Sequence, residues 1–171
     1  MSLEVRKFGD PVLKTRASEV KKFDDSLRHL SEEMLATMRE HEGVGLAGNQ
    51  VGRLQRIFVA AWAEEEEEEQ QEFILVNPRI VDHGEELQKG GEGCLSIPEI
   101  GLEIERPDRI TVEAQDLSGE RFTLTAEGQL SRIFQHEIDH LDGVLIFDRT
   151  DRESRRGALR EWRERGVAQR Q

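Results

Sequence analysis

Residues 136–140 read His-Glu-Ile-Asp-His, two imidazoles four positions apart with a carboxylate next to the first. On an α-helix, positions i and i+4 stand one above the other on the same face. His136 and His140 can therefore aim their rings at one point. Glu137 is a step round the helix, badly placed as a third ligand but well placed to reach a water held there. That is the arrangement of metal-assisted hydrolysis, in which the histidines hold an ion and the glutamate moves protons. Only three other histidines exist, His29, His41 and His83, so the pairing is hard to attribute to composition.

A catalytic ion commonly takes three protein ligands and leaves a position open. No histidine follows His140, which excludes a third-histidine protease pattern. Glu161, 21 residues beyond His140, is where a thermolysin-like zinc endopeptidase would carry its third ligand. It sits in Leu-Arg-Glu-Trp-Arg-Glu-Arg, which reads as a solvated charged face. Cys94 is the better candidate. It follows glycines 90, 91 and 93, which let backbone approach another element closely. A lone cysteine is also the usual small buried hydrophobe, or a nucleophile; neither gives the paired histidines and glutamate a joint purpose. A non-catalytic metal module would close the shell with a fourth protein ligand, for which His83 or Glu92 could serve.

These residues need elements to hold them. Leu27, Leu30, Met34, Leu35 and Met38 recur at helical spacing, with Asp24 or Asp25 able to cap the start and Gly43 the end. Residues 43–52, Gly-Val-Gly-Leu-Ala-Gly-Asn-Gln-Val-Gly, predict a loop or irregular turn. A strand is expected over 55–61 and another over 73–81, broken by Pro78. Residues 82–93 read as loop. Short alternating strands follow at 102–107, 109–116 and 121–127. The stretch 127–143 predicts a helix stopped by Gly143, 143–148 a strand, and the tail from about Arg152 a helix with Leu159 and Trp162 on one stripe. Together they predict one α+β domain over 1–171, with antiparallel or mixed short-stranded sheets around the central histidine helix.

Composition bounds the rest. The 171 residues suffice for one core and carry a net charge of −12. That balance argues against sequence-specific nucleic-acid binding, which needs a basic surface. From Asp151 to Gln171 seven arginines face four carboxylates, a local +3 on an otherwise acidic body. Such an Arg-rich helix could dock something anionic, or be a solvated face. Glu64–Glu69 are six consecutive glutamates, expected to form a mobile acidic loop over 64–72. No apolar run is long enough to cross a bilayer. The first residues lack the apolar core of a signal peptide, and a single cysteine suits a reducing cytoplasm.

Three stretches resemble the motifs of the peptide deformylase family, in that family's order. They are residues 43–52, Glu-Gly-Cys-Leu-Ser at 92–96, and Gln135–His140. The tail helix is similar to that of the bacterial type I members. The resemblance implies that Cys94, His136 and His140 hold one divalent ion, Fe(II) in the cell, with Ni, Co or Zn accepted. It implies Glu137 as proton shuttle, and Gln50 (side-chain amide) and Leu95 (backbone N–H) as donors to the attacked carbonyl oxygen. Val44, Gly45, Gly93 and Ile133 would line the substrate site, and Glu92 would support it, with Arg106. The implied reaction removes the N-formyl group from the initiator methionine of new polypeptides and releases formate. A tail docked on ribosomal RNA would suit that substrate. Two positions depart from the family's usual alanine, Gly48 and Ser131.

Overall fold

The computed structural model describes residues 2–170. Met1 and Gln171, the ends of the expected domain and tail helix, lie outside the described residues. Strands β1 (Gly45–Ala47), β2 (Ile57–Trp62), β3 (Gln71–His83), β6 (Arg109–Gln115) and β7 (Arg121–Glu127) form one sheet in that spatial order. Strands β4 (Leu87–Cys94) and β5 (Ile97–Pro107) form a separate hairpin. Every pairing between these strands is antiparallel. The helices are α1 (Asp25–Glu40), α2 (Gly128–Leu141), α3 (Ile146–Arg149) and α4 (Arg152–Arg170).

Strand β2 shows why the layers stack as they do. Ile57, Val59 and Ala61 point to one face and share a core with Leu27, Leu30, Met34, Leu35 and Met38 of α1. Phe58 and Ala60 point to the other, with Ile133, Phe134, Ile138 and Leu141 of α2. Successive strand residues face opposite ways, so an unbroken apolar run is what a strand between two helices requires. A third core lies between β5 and the C-terminal elements, from Ile97, Ile100, Leu102 and Ile104 with Ile146, Phe147 and Ala158; Phe8 and Trp162 pack at its edge. Asp24 caps α1 by accepting a bond from the Leu27 N–H at 3.2 Å.

Several expectations are corrected. The 82–93 stretch is mostly strand: β3 runs to His83 and β4 pairs with β5 from Leu87. Its glycines are not a loop signal, because a Cβ on Gly90 would lie 3.0 Å from the Arg132 guanidinium of α2. Pro78 bulges β3 instead of breaking it. The ladder shifts between Val76 and Arg79, and Asn77 turns to φ +50° while its side chain bonds Val20 and Gln115. Residues 143–148 make no strand. Ile146 opens the short helix α3, and Asp148 caps it by accepting the Leu145 N–H at 2.9 Å. The irregular turn at 43–52 contains β1 and a 3₁₀ turn at Gly48–Val51. Helix α1 ends through Glu42 at φ +55°, with the Gly43 N–H returning to the Met38 carbonyl. The acidic connection is shorter than expected, since Gln71 and Glu72 already pair with Trp62 and Ala61. Among the described residues, no helix is long and apolar enough to cross a membrane.

Candidate functional site

Helix α2 leaves β7 directly. Gly128, at φ +62°, takes the left-handed turn between strand and helix. Residues 131–141 of α2 are all buried, including Arg132, His136, Glu137, Asp139 and His140. At the other end Gly143 stands at φ +74°, where a Cβ would lie 2.7 Å from the Lys14 carbonyl oxygen. No other residue fits that reversal without displacing backbone.

Cys94 closes β4 at a two-residue turn, Leu95–Ser96, and pairs with Ile97 across it. The hairpin tip thereby meets the α2 face. Cys94 Sγ lies 3.2 Å from His140 Nε2, and the two Nε2 atoms lie 3.1 Å apart. The three donor atoms all lie within 4.8 Å of one another, the one such group of three or more candidate ligands found among the described residues. Glu92 Oε1 sits 2.9 Å from His136 Nδ1. A carboxylate can only accept there, so Nδ1 keeps a proton, and Nε2 is the nitrogen that would give up its proton to bind an ion. The donor set fits a borderline-to-soft divalent ion.

The surroundings are charged but paired. Arg106 forks onto Glu92 (Nε–Oε2 2.5 Å, Nη2–Oε1 2.9 Å), and Arg132 Nη1 adds a bond to Glu92 Oε2 at 2.7 Å. Burial works against the Glu92 charge, but bonds from Arg106 and His136 outweigh it and hold the carboxyl at about 2. Burial likewise opposes charge on His136, yet the Cys94 sulfur and Glu92 hold it well above its ordinary value. Burial and the neighbouring His136 push His140 well below. Burial pushes Glu137 up to about 7 against the pull of His136. Glu137 Oε1 is buried without a partner among the described residues.

Gln50 is buried and fixed in orientation. Its Oε1 accepts the Ala47 N–H at 2.9 Å, so its amide N–H₂ is turned to Ser96 Oγ (3.2 Å) and Cys94 Sγ (3.5 Å). Gly45 makes room for the glutamate: a Cβ there would lie 2.8 Å from Glu137 Cδ. A cavity of about 490 Å³ joins these groups, and Val44, Gly45, Gly93, Leu95 and Ile133 line it together with Gln50, Cys94, His136 and Glu137. All the expected substrate-site residues therefore open onto one space. His140 lies behind its wall.

The rival ligands are elsewhere. Glu161 is exposed on α4 and bonds Arg165 at 2.9 Å. His83 is exposed at the end of β3 beside the Gly84 carbonyl. Glu92 is committed to Arg106, Arg132 and His136. Sequence reading did not single out Arg132 and Gln129, which line the cavity from α2. The helical period from His136 and Ile133 back to residues 132 and 129 was the available signal. Ser96 closes the Glu-Gly-Cys-Leu-Ser motif but was given no role of its own; its Oγ takes a bond from the Gln50 amide.

A thiol and two imidazoles with converging donor atoms, beside a buried carboxylate unpaired among the described residues, fit the class of metal-dependent hydrolases. Comparison with known proteins narrows that class. Residues 2–156 match the family model described as polypeptide deformylase. A peptide deformylase of Dictyoglomus thermophilum is 44% identical over 155 residues, covering 90% of this chain and 96% of that protein. Peptide deformylase 1 of Corynebacterium efficiens is 47% identical over 156 residues, 91% of each. The crystal structure of peptide deformylase from Thermotoga maritima superposes with a TM-score of 0.83 at 45% identity, over 88% of this chain and 99% of that one. That from Ehrlichia chaffeensis gives 0.92 at 34% identity over 99% of both. The chain belongs to the polypeptide deformylase family, enzymes that remove the formyl group from the N-terminal methionine of newly made polypeptides. The endopeptidase reading falls with Glu161.

Proposed function

We propose that Cys94, His136 and His140 hold one divalent ion, Fe(II) in the cell, and that the cavity beside them deformylates formyl-methionyl chain ends. The observation that carries this is the convergence of Sγ and two Nε2 atoms at the cavity wall, next to Glu137 and Gln50. A divalent ion held by these three residues would supply Lewis acidity and lower the pKa of water beside it toward neutral. Glu137 takes the proton of the attacking water through its unpaired carboxylate oxygen and returns it to the departing amine. The Gln50 amide and the Leu95 N–H donate to the formyl oxygen as charge builds on it. Val44, Gly45, Gly93 and Ile133 receive the methionine end. Glu92 keeps His136 in the tautomer that offers Nε2.

Metal analysis run beside a formate-release assay tests the reading. About one ion per chain is expected, with formate from formyl-Met peptides and none from the unformylated peptide. Full metal content in Cys94→Ser, or equal formate release from metal-stripped protein, would refute it. Thiolate-bound Fe(II) is oxidisable, so activity should decay in air with iron and persist with nickel. Equal decay would count against iron as the cellular ion.

The same reading places the enzyme in the cytoplasm with the tail helix facing ribosomal RNA. Support comes from charge: Arg156, Arg160 and Arg163 are exposed on α4, while Ala158 and Trp162 turn toward the β5 core. Exchanging those three arginines for glutamine leaves the packed face intact. Unchanged ribosome affinity in that variant would dismiss the contact.

A further inference from the structure

The fold carries a chain of alternating charges from the metal-side histidine to the protein surface. His136 Nδ1 meets Glu92 Oε1 at 2.9 Å, and Glu92 is forked by Arg106. Arg106 Nη1 reaches Asp139 Oδ2 at 2.9 Å. Asp139 is in turn gripped by one edge of a second guanidinium: Arg149 Nη2 donates to Oδ1 at 2.9 Å and Nε to Oδ2 at 3.1 Å. Glu92, Arg106 and Asp139 are buried, whereas the Arg149 side chain is half exposed. Arg149 is therefore the outer end of a network whose inner end touches a proposed ligand.

We propose that Arg149 is a positioning residue for the metal site, acting through Asp139, Arg106 and Glu92 on His136. The inference rests on the reading of Cys94, His136 and His140 as the ligand set.

Two physical routes run through this contact. The first is competition for Arg106. Its guanidinium serves two carboxylates, and the share each receives depends on what else neutralises them. Arg149 satisfies Asp139 from the far side, which leaves Arg106 free to grip Glu92 in a two-bond fork. Without Arg149, the Asp139 carboxylate has only Arg106 and draws it away from Glu92. The carboxylate that fixes the His136 tautomer then loses part of its own support. The second route is geometric. Asp139 lies on the last turn of α2 between His136 and His140, and the Asp139 carbonyl accepts the Val144 N–H at 2.8 Å. Arg149 closes the loop from that turn, through the reversal at Gly143, back onto the same residue. It pins the stretch of α2 on which both imidazoles are mounted. A short helix at 146–149 is what brings the guanidinium round; a strand there would carry it away.

Outer partners of metal-bound histidines typically set affinity by 10–100-fold. Glu92 is that outer partner and Arg149 stands three contacts beyond it, so no more than the lower end of that range is expected. The experiment uses the full chain loaded with Co(II), comparing wild type with Arg149→Gln, Arg149→Lys and the exposed tail variant Arg163→Gln. Co(II) loss to EDTA should be about tenfold faster in Arg149→Gln, intermediate in Arg149→Lys, and unchanged in Arg163→Gln. The visible Co(II) bands should shift in Arg149→Gln, because the His136 ring reorients. A purely structural role would lower the unfolding midpoint of the metal-free protein while leaving the release rate and bands at wild-type values; that result overturns the proposal. If wild type takes up Co(II) with a sulfur-to-metal band that Cys94→Ser abolishes, and Arg149→Gln behaves as wild type, only the role of Arg149 falls. If wild type shows no such band, the ligand set itself is wrong and the proposal falls with it.

Discussion

Helices α1 and α2 flank the two faces of the same sheet, and they are held by different forces. Helix α1 turns Leu27, Leu30, Met34, Leu35 and Met38 inward and its charges outward. Helix α2 buries apolar residues against the sheet, but also buries Arg132, Gln135, His136, Glu137, Asp139 and His140. The first is held by apolar area, which is non-directional. The second adds a polar face on which Arg132, His136 and Asp139 are held by partners on β4, β5 and α3, while Glu137 is left open toward the cavity. The difference teaches where tolerance and function separate. A face made of area accepts many residues of similar volume, and a face made of paired charges accepts almost none.

Substitutions can break or sharpen that contrast. The largest effect is expected from Arg106→Ala. It removes three charged bonds from buried carboxylates, leaving Glu92 to Arg132 and His136 and Asp139 to Arg149, so urea unfolding should report a loss of about 3–5 kcal/mol. A loss under 1 kcal/mol, about that of an exposed pair, would erase the distinction between the two helices. Next comes Gln50→Ala, on the site that the polar face serves. Removing one aligned donor costs about 10²–10³ in turnover, and metal content should not change. Turnover near that of wild type would take Gln50 out of the mechanism.

On the apolar face, Met34 is fully buried. Exchange for leucine should cost under about 1.5 kcal/mol, whereas truncation to alanine should cost about 2–5 kcal/mol. An equally severe loss in both would show that α1 is as specific in shape as α2 is in charge. The smallest effect lies at the edge of the polar region. Burial alone would push Asp148 up, but bonds from Lys14 and from the Leu145 N–H outweigh it and leave the carboxyl below its usual range. A carboxyl lowered in the folded state adds stability above its ordinary pKa, and that stability fades as pH falls through the folded value. Asp148→Asn keeps the cap and removes the charge. It should cost under about 1 kcal/mol at neutral pH, because both partners are partly exposed. The gap from wild type should close below about pH 4. A gap that persists in acid would mean the charge was not its source.

The legible parts of the molecule were those written in one short stretch. The α1 stripe and the two histidines of α2 follow from helical spacing alone. Cys94 stood out because three glycines precede a lone thiol. What could not be read depended on distant partners. Arg132 and Asp139 look like solvent-facing charges on a helix until Glu92, Arg106 and Arg149 arrive from other elements. The glycines at 90 and 91 read as loop because the reason for Gly90, the Arg132 guanidinium above it, lies some 40 residues away. Residues 143–148 are apolar enough for either a strand or a buried turn. No strand pairs with them, and the Asp148 cap decides for the helix.

The pairing of Trp62 with Gln71 has a practical consequence. It seals the ladder at the base of the glutamate run, so residues 63–70 hang from a junction that is already closed. Peptides spliced into that excursion, such as an affinity tag or a fluorophore-accepting sequence, would ride on the enzyme without straining the hairpin beneath, and the acidic stretch offers itself as a handle for immobilising or reporting on this hydrolase.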